Sequence, residues 1–373
     1  NEAAALCKSV AVISAGDDGS AAAVFVGRFP SDHKIAAVVH RDIGQLLITQ
    51  SGGVDQELIA DGDAILFESL GIDSVMIYNC FQPPYNYDHG WPLKLPDVEF
   101  GPKTLLVLHF QDFVSMGQPV KELVKVEEKY GANCNQVIVT HWSHGLEQCY
   151  QGSINLIEFS NHNLATCESI AKRQLEWQMH FDQTRTKLWQ CLNGRECPHR
   201  QRVADVLKTW PNGVLSYGNQ IALPEWAYST YRGTENDENF VRLAPLYAQC
   251  AVNIITETQY DNRPGIVTEK TLQAMIAKQI PIVIGHPGIV QDCQELGFDM
   301  FEDLIDTSYD WLPNDQRVEA ALELNRELIL GNVDLTPYQE RLQHQQDFVL
   351  DAYPKWIQAN FVRRAQLCAS EIF

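Results

Sequence analysis

The stretch GIVTEKTLQAMIAKQIPIVIGHPG, residues 265–288, combines the signals of a loop, a helix, a strand and a turn. Thr268 is a favourable N-cap residue, and the segment 268–278 that it opens is predicted to be helical. The apolar run 280–285 that follows is short and ends at a Gly, which is typical of a strand buried on both faces. A helix followed at once by such a strand predicts an α/β sheet with parallel strands.

The alternation of apolar runs with helix-like segments extends along most of the chain. The predicted strands are 9–14, 34–40, 63–69, 74–79, 104–110, 136–142, 154–160, 187–193, 213–218, 249–257 and 280–285. The predicted helices are 119–131, 163–186, 198–210, 268–278, 288–297 and 336–368, the last interrupted near Pro354 because proline cannot donate a helical hydrogen bond. Together they predict an α/β fold with largely parallel sheets.

The length of 373 residues favours two domains over one. The alternation of strands and helices begins again after a polar helical segment, which we interpret as the linker between the two domains. We predict an N-terminal α/β domain (1–165), a linker helix (166–186), a C-terminal α/β domain (187–335) and C-terminal helices (336–373), with a cleft between the domains.

The composition limits the classes of function. A formal net charge of −20 disfavours general binding to nucleic acid, whose phosphates would be repelled. No apolar run reaches the roughly 20 residues of a membrane helix, and the first residues lack the basic and apolar regions of a signal peptide. The ten Cys show no CxxC pair and no metal-like spacing. We therefore predict a cytoplasmic protein without a membrane partner or metal site.

Ligands of parallel sheets bind beyond the carboxyl ends of the strands, which selects the loops 193–198, 257–267 and 285–288. The first loop follows Asn193 and leads into a helix with Pro198 at its first position. Four basic side chains cluster at this helix start, namely Arg195, His199, Arg200 and Arg202. Such a cluster suits a pyrophosphate, because guanidinium groups and helix N-termini both bind phosphate oxygens. The alternative is a solvated helix face whose charges pair with Glu196 and Asp205.

The second loop begins at Glu257 and is longer than most strand-to-helix connections, which indicates a binding loop. It leads to Glu269 and Lys270 on the first helical turn. Neither charge is needed to form the helix, and a Lys at a helix N-terminus is slightly unfavourable unless an anion is present. The carboxylate suits a ribose diol and the ammonium a phosphate. The alternative is a surface ion pair without a function.

These motifs resemble the donor domain of the α-1,3-fucosyltransferase family and its relatives in phages and large viruses. The resemblance is carried by LNGRECPHRQRV with LSYG, by the segment from NIITET to VIGHPG, and by LGFDMFEDLIDTSYD, within residues 187–310. In that family a strand is followed by an Asn and by a helix that starts with Arg-x-Arg. A later strand ends in Glu, and a loop then connects it to a helix that starts with TEK. The family's FEN element is TET here, so the resemblance indicates the class of enzyme and leaves the sugar open.

The resemblance implies two Rossmann-like domains facing a cleft (the GT-B fold) and a glycosyltransferase that needs no cofactor or metal. Asn193 and Arg195 belong to the family's first donor motif. By position, Arg200 or Arg202 would hold the donor pyrophosphate, and Glu257 would face the sugar or diphosphate. Glu269 would bind the ribose and Lys270 a phosphate. The implied partners are a nucleotide-sugar donor and a glycan or other hydroxyl acceptor.

An inverting transfer also needs a general base for the acceptor hydroxyl. The candidates at strand ends of the first domain are His109, Asp112, His141 and His144, with Glu68 as a further choice. Each is also compatible with a structural role. Tyr85, Tyr87 and Trp91 lie in a Pro-rich loop, where they either stack on a sugar or pack against one another.

Two other functions fit the same motifs. One is a catalytically silent module that binds nucleotide-sugars. The other is a phosphate-binding α/β enzyme of another reaction, such as an epimerase, although no GxGxxG loop is present to favour it. A nucleic-acid acceptor is disfavoured by the acidic charge. Inversion or retention, the nucleotide base and the oligomeric state are left open by the sequence.

Overall fold

The computed structural model describes residues 9–15, 21–26, 74–79, 104–109, 117–130, 136–140, 150–181, 184–223, 236–261 and 267–360. Helices and strands alternate within these ranges, which confirms the predicted α/β class. The chain divides into two compact units, Asn1–His162 with Trp356–Phe373, and Asn163–Lys355. The second unit thus includes segments that the sequence assigned to a linker and to C-terminal helices; the boundaries at 165, 186 and 335 stay predictions. None of the described helices is long and apolar enough to cross a membrane.

The first unit contains a six-stranded sheet in the order β2-β1-β3-β4-β5-β6. Its strands are β1 (Ser9–Ala15), β2 (Ala21–Val26), β3 (Ser74–Asn79), β4 (Thr104–His109), β5 (Gln136–Thr140) and β6 (Asn155–Phe159). All pairs are parallel except β1 with β2, a strand that the sequence did not predict. Helix α1 (Gly117–Tyr130) connects β4 to β5, as expected. The strands predicted at 34–40 and 63–69 lie outside the described residues.

The second unit contains a parallel four-stranded sheet in the order β10-β9-β7-β8. Its strands are β7 (Lys187–Asn193), β8 (Gly213–Tyr217), β9 (Cys250–Thr256) and β10 (Ile280–Ile284), each within a residue or two of its predicted bounds. The chain builds outward from β7 to β8 and then returns to place β9 on the other side of β7. Open α/β sheets form their ligand-binding crevice where the strand order reverses, which in this sheet is at the carboxyl ends of β7 and β9.

Several α-helices accompany this sheet in the described residues. They are α2 (Asn161–Lys172), α3 (Gln174–Trp177), α4 (Pro198–Leu207), α5 (Asn236–Tyr247), α6 (Glu269–Ile276), α7 (Ile289–Glu295), α8 (Asn314–Leu324), α9 (Arg326–Ile329) and α10 (Gln339–Asp347). Helices α4, α6 and α7 were predicted from their caps and periodicity, whereas α5 and α8 were not. Three of these helices, α4, α6 and α7, follow β7, β9 and β10 respectively, so their N-termini begin at the carboxyl edge of the sheet.

The core of the second unit lies around β9, β10 and α6. Ile254, Ile282 and Leu272 are fully buried, and each such side chain stabilises the fold by about 1.5–3 kcal/mol. The core also contains an amide network: Gln279 Oε1 accepts from Asn253 Nδ2 (2.9 Å) and from Gln190 Nε2 (3.2 Å). Polar groups buried this deeply are tolerated because they are hydrogen-bonded.

The C-terminal helical segment is irregular near Pro354, where the sequence predicted an interruption. Helical structure continues from α10 through residue 360, and the irregularity lies just before the proline, in a π-helical turn at Phe348–Ala352. Proline lacks the N–H that would complete the ladder, and a wider turn before it accommodates the missing bond without ending the helix.

Candidate anion-binding site

Asn193 joins the three strands that border the crevice. Its N–H donates to Ser216 Oγ at the end of β8 (3.0 Å), and its Oδ1 accepts from the hydroxyl of Thr256 at the end of β9. Its Nδ2 donates to Cys191 Sγ (3.2 Å). The side chain was predicted to bind a donor; in this structure it is buried and fixes the edge of the sheet.

Helix α4 begins directly above this edge with an uncapped N-terminus. Cys197 takes the extended backbone conformation of an N-cap, but its side chain makes no capping hydrogen bond, and the first turn contains no acidic residue. Pro198 occupies the first helical turn, as predicted. An N-terminus without a side-chain cap or an acidic residue in its first turn retains its partial positive charge, which favours anions.

Arg200 on the first turn of α4 is a buried cation. Only 4% of the residue is exposed. Its Nη2 donates to Thr256 O (3.2 Å), while its Nε is buried without a hydrogen-bond partner. No carboxylate among the described residues forms a salt bridge with it. A buried charge that lacks both an anion and a full set of hydrogen bonds is unfavourable, and an anionic ligand would remove that cost.

His199 lies beside Arg200 as a neutral, rigid side chain. Its Nε2 is 3.0 Å from Glu257 O, and a carbonyl only accepts, so this nitrogen carries the proton. Burial lowers the pKa of His199 to about 4, assisted by the charge of Arg200 and opposed by the bond to the carbonyl. The ring stacks on Tyr260 with centroids 4.7 Å apart. His199 therefore links α4 to the loop after β9 and adds no charge at neutral pH.

Tyr260 and Arg317 support the site, and the sequence identified neither. The guanidinium of Arg317 lies 4.7 Å from the centre of the Tyr260 ring, and its Nη1 donates to Gly285 O at the end of β10 (2.9 Å). Tyr260 donates its hydroxyl to Asn314 O on α8 (2.5 Å). Arg317 lies on a helix that carried no strong periodic signal, so only the three-dimensional packing reveals it. Together these contacts fix the loops after β9 and β10.

Glu257 is fully buried and directs its carboxylate at the N-terminus of α6. Oε1 accepts from Thr268 N–H (3.0 Å) and from the Thr271 hydroxyl (2.6 Å). Oε2 accepts from the Thr268 hydroxyl (2.6 Å). Thr268 is the N-cap of α6, as predicted. The carboxylate is thus bound to its own protein, and the prediction that it faces a sugar or diphosphate stays untested.

Glu269 and Lys270 form an ion pair at the same helix terminus. Lys270 Nζ donates to Glu269 Oε1 (2.8 Å) and to Thr268 Oγ1 (3.2 Å). Burial opposes ionisation of Glu269, but the charge and hydrogen bond of Lys270 outweigh it and lower the pKa of that carboxyl. Both side chains are about a quarter exposed, at 21% and 26%. They are therefore accessible from solvent.

Arg202 points away from the crevice. Its guanidinium donates to Asn314 O (2.7 Å) and Asp315 O (2.5 Å) at the start of α8, and it forms a salt bridge with Glu319. The structure therefore brings Arg200, but not Arg202, to the edge of the sheet. Arg195 is exposed in the loop before α4. The carboxylates that the sequence offered as partners make other bonds, Asp205 with Lys208 and Glu196 with Gln220.

The loop after β10 lies at the same carboxyl edge of the sheet. A Cβ added at Gly285 would lie 3.2 Å from Glu257 Cβ, so a larger residue would fit only if Glu257 moved by a few tenths of an ångström. His286 Nε2 pairs with Asp292 Oδ2 at 2.7 Å, and Asp310 Oδ2 accepts from Val290 N–H at 3.1 Å. This loop packs against α7 and lies directly beside Glu257.

The proposed general bases lie in the first unit. His109 is the last residue of β4, aligned with Asn79 of β3 and Thr140 of β5, which places it at the carboxyl edge of that sheet. Asp112, His141 and His144 lie outside the described residues, as do Glu68, Tyr85, Tyr87 and Trp91. Within the described ranges, no group of three or more His, Cys, Asp or Glu side chains could hold a metal ion.

Comparison with known proteins does not assign the chain to a family. No protein-family model, curated protein or solved structure gave a significant match to the chain. The motif resemblance to glycosyltransferases therefore stays a prediction, and the site is defined by its own residues.

Proposed function

We propose that the protein is a glycosyltransferase that moves a sugar from a nucleotide-sugar to a hydroxyl acceptor, with inversion and without a metal. The donor diphosphate would bind at the carboxyl ends of β7 and β9, against the N-terminus of α4. The observation that carries the proposal is the buried guanidinium of Arg200, which has no anionic partner among the described residues. Its chemistry matches a phosphate, and its position matches the ligand crevice of an α/β sheet.

A diphosphate would provide the anionic partner that Arg200 does not have among the described residues. Arg200 would offer its free N–H groups, and the α4 terminus its partial charge. Lys270 would shift from Glu269 to a phosphate oxygen, which frees the Glu269 carboxylate to accept from ribose hydroxyls. Arg202 would act indirectly, by fixing α4 against α8.

The proposed reaction also needs a general base. A base from the first unit, drawn from His109, Asp112, His141 and His144, would take the proton of the acceptor hydroxyl. The hydroxyl oxygen would bond to the anomeric carbon as the bond from that carbon to the diphosphate oxygen breaks. The bonding electrons leave with the diphosphate, and Arg200, Lys270 and the helix terminus would stabilise its growing charge. Positive side chains would thus take the place of a metal ion, in two Rossmann-like domains of the GT-B type.

The test is a calorimetric titration of the whole protein, in EDTA, with a panel of nucleoside diphosphates and nucleotide-sugars. Arg200→Gln should weaken binding of the preferred diphosphate roughly 10- to 150-fold, the range for losing a hydrogen bond to a charged group. The same variant should be more stable than wild type without ligand, because an uncompensated buried charge is removed.

Lys208→Gln is the matched control, since it removes one positive charge from the exposed end of the same helix. It should leave affinity unchanged. If the wild type binds none of the diphosphates, or if Arg200→Gln binds as well as wild type, the proposed donor site is wrong. Tight donor binding without sugar transfer or donor hydrolysis would instead indicate a silent binding module.

A further inference from the structure

Glu257 is a buried carboxylate whose charge no cation among the described residues balances. It is fully buried and forms no salt bridge within the described ranges. Its partners are the N–H and hydroxyl of Thr268 and the hydroxyl of Thr271. The compensation for its charge is therefore the positive terminus of α6 and these three donors.

The backbone of the same residue connects the other parts of the site. Glu257 N–H donates to Ile284 O of β10 (2.9 Å), and Glu257 O accepts from His199 on α4 (3.0 Å). The preceding carbonyl, Thr256 O, accepts from Arg200 (3.2 Å). One residue thus ties together β10, α4 and α6, and it lies next to the carbonyl that holds the buried cation.

We propose that Glu257 is a positioning residue of the nucleotide site and does not contact the ligand. Its carboxylate occupies the N-terminus of α6, which leaves the N-terminus of α4 and Arg200 as the place for an external anion. Because the carboxylate is bound to α6, it does not neutralise Arg200, although Arg200 donates to the carbonyl of the residue just before Glu257. The inference rests on the proposed function for the identity of the anion.

Two substitutions separate the charge of Glu257 from its geometry. In Glu257→Gln the amide oxygen can keep the bonds from Thr268 N–H and Thr271, while the amide nitrogen donates to the Thr268 hydroxyl, which reverses its direction. The Glu257→Gln variant therefore keeps the hydrogen bonds to Thr268 and Thr271 and loses a buried negative charge near the anion site. Glu257→Ala loses these hydrogen bonds altogether.

The experiment measures the affinity of the whole protein for inorganic pyrophosphate and for the nucleoside diphosphates by calorimetry. It also measures amide hydrogen exchange over residues 267–272 without ligand. Glu257→Gln should bind pyrophosphate as tightly as wild type or about threefold more tightly, because a repulsive charge is removed. Glu257→Ala should bind at least roughly tenfold more weakly and exchange its α6 amides faster. A direct contact with a ligand would produce a different pattern, with loss of nucleoside diphosphate affinity in both variants and no change for pyrophosphate.

Glu323→Gln is the charge control, since Glu323 is 69% exposed on α8. If Glu257→Ala does not fold, Thr271→Val removes one of the three bonds isosterically and should weaken pyrophosphate binding several-fold. Weaker pyrophosphate binding by Glu257→Gln, or unchanged exchange and affinity in Glu257→Ala, would overturn the inference. If the wild type binds neither pyrophosphate nor a nucleoside diphosphate, the proposed function fails, while the exchange data still decide whether Glu257 holds α6.

Discussion

His199 should make the protein lose stability in mild acid, in a window set by its burial. The pKa of this imidazole is lowered from 6.5 to about 4 in the folded chain. Between these values the unfolded chain binds a proton that the folded chain does not, so the free energy of unfolding falls as the pH falls. Integrating the linkage relation from pH 7 to pH 5 with these two pKa values gives a loss of about 2 kcal/mol from this one residue.

His199→Gln should remove that pH dependence while keeping an N–H donor for Glu257 O. Its stability at pH 7 should be lower, because the stacking on Tyr260 is lost. Urea unfolding of wild type and variant at pH 7 and pH 5 gives the four free energies that are needed. The contributions of other titrating groups cancel in the difference between the two proteins. The wild type should lose about 2 kcal/mol more than the variant; an equal loss in both would show that His199 is not buried in its neutral form.

Two further variants separate residues of the site from residues of the scaffold. Arg202→Gln should lower the free energy of unfolding by about 1–2 kcal/mol, since its bonds to Asn314 and Asp315 are lost and its partly exposed pair with Glu319 adds little. Its affinity for the diphosphate should change less than threefold in the titration used for Arg200→Gln, and a tenfold loss would return Arg202 to the donor site. Lys270→Ala should weaken diphosphate binding about tenfold. It should also raise the pKa of Glu269, so that the contribution of the ionised Glu269 to the free energy of unfolding is lost at a higher pH on acidification. Calorimetry and acid unfolding measure the two effects, and unchanged affinity would leave Lys270 as a partner of Glu269 alone.

Much of the second unit was predictable because its signals are local. The apolar runs of β7, β9 and β10 and the N-cap at Thr268 depend only on residues close in sequence. The side-chain partners were not predictable in this way. Arg200 and Arg202 are two residues apart on a helix and therefore point in nearly opposite directions. Nothing local determines which of them faces the sheet, so the sequence left both as candidates.

The orientation of Glu257 shows a second limit. A Glu at the end of a strand, ahead of a long loop, is a reasonable ligand contact from sequence alone. In the folded chain Thr268 and Thr271 both donate to its carboxylate, which is buried inside the protein. Arg317 and Tyr260 were missed for the same reason, because their roles depend on contacts between segments more than 50 residues apart.

The amide network in the core has a consequence for folding fidelity. Strands β9 and β10 are almost entirely apolar, so a slip of two residues would keep their buried surface and would not be opposed by the hydrophobic effect. The bonds of Gln279 to Asn253 and Gln190 form only when β7, β9 and β10 are correctly aligned. A misaligned sheet would bury unpaired amides at about 1–3 kcal/mol each. The hydrogen bonds among these three side chains thus specify the strand register, because they make the correct alignment of β7, β9 and β10 more stable than shifted alignments.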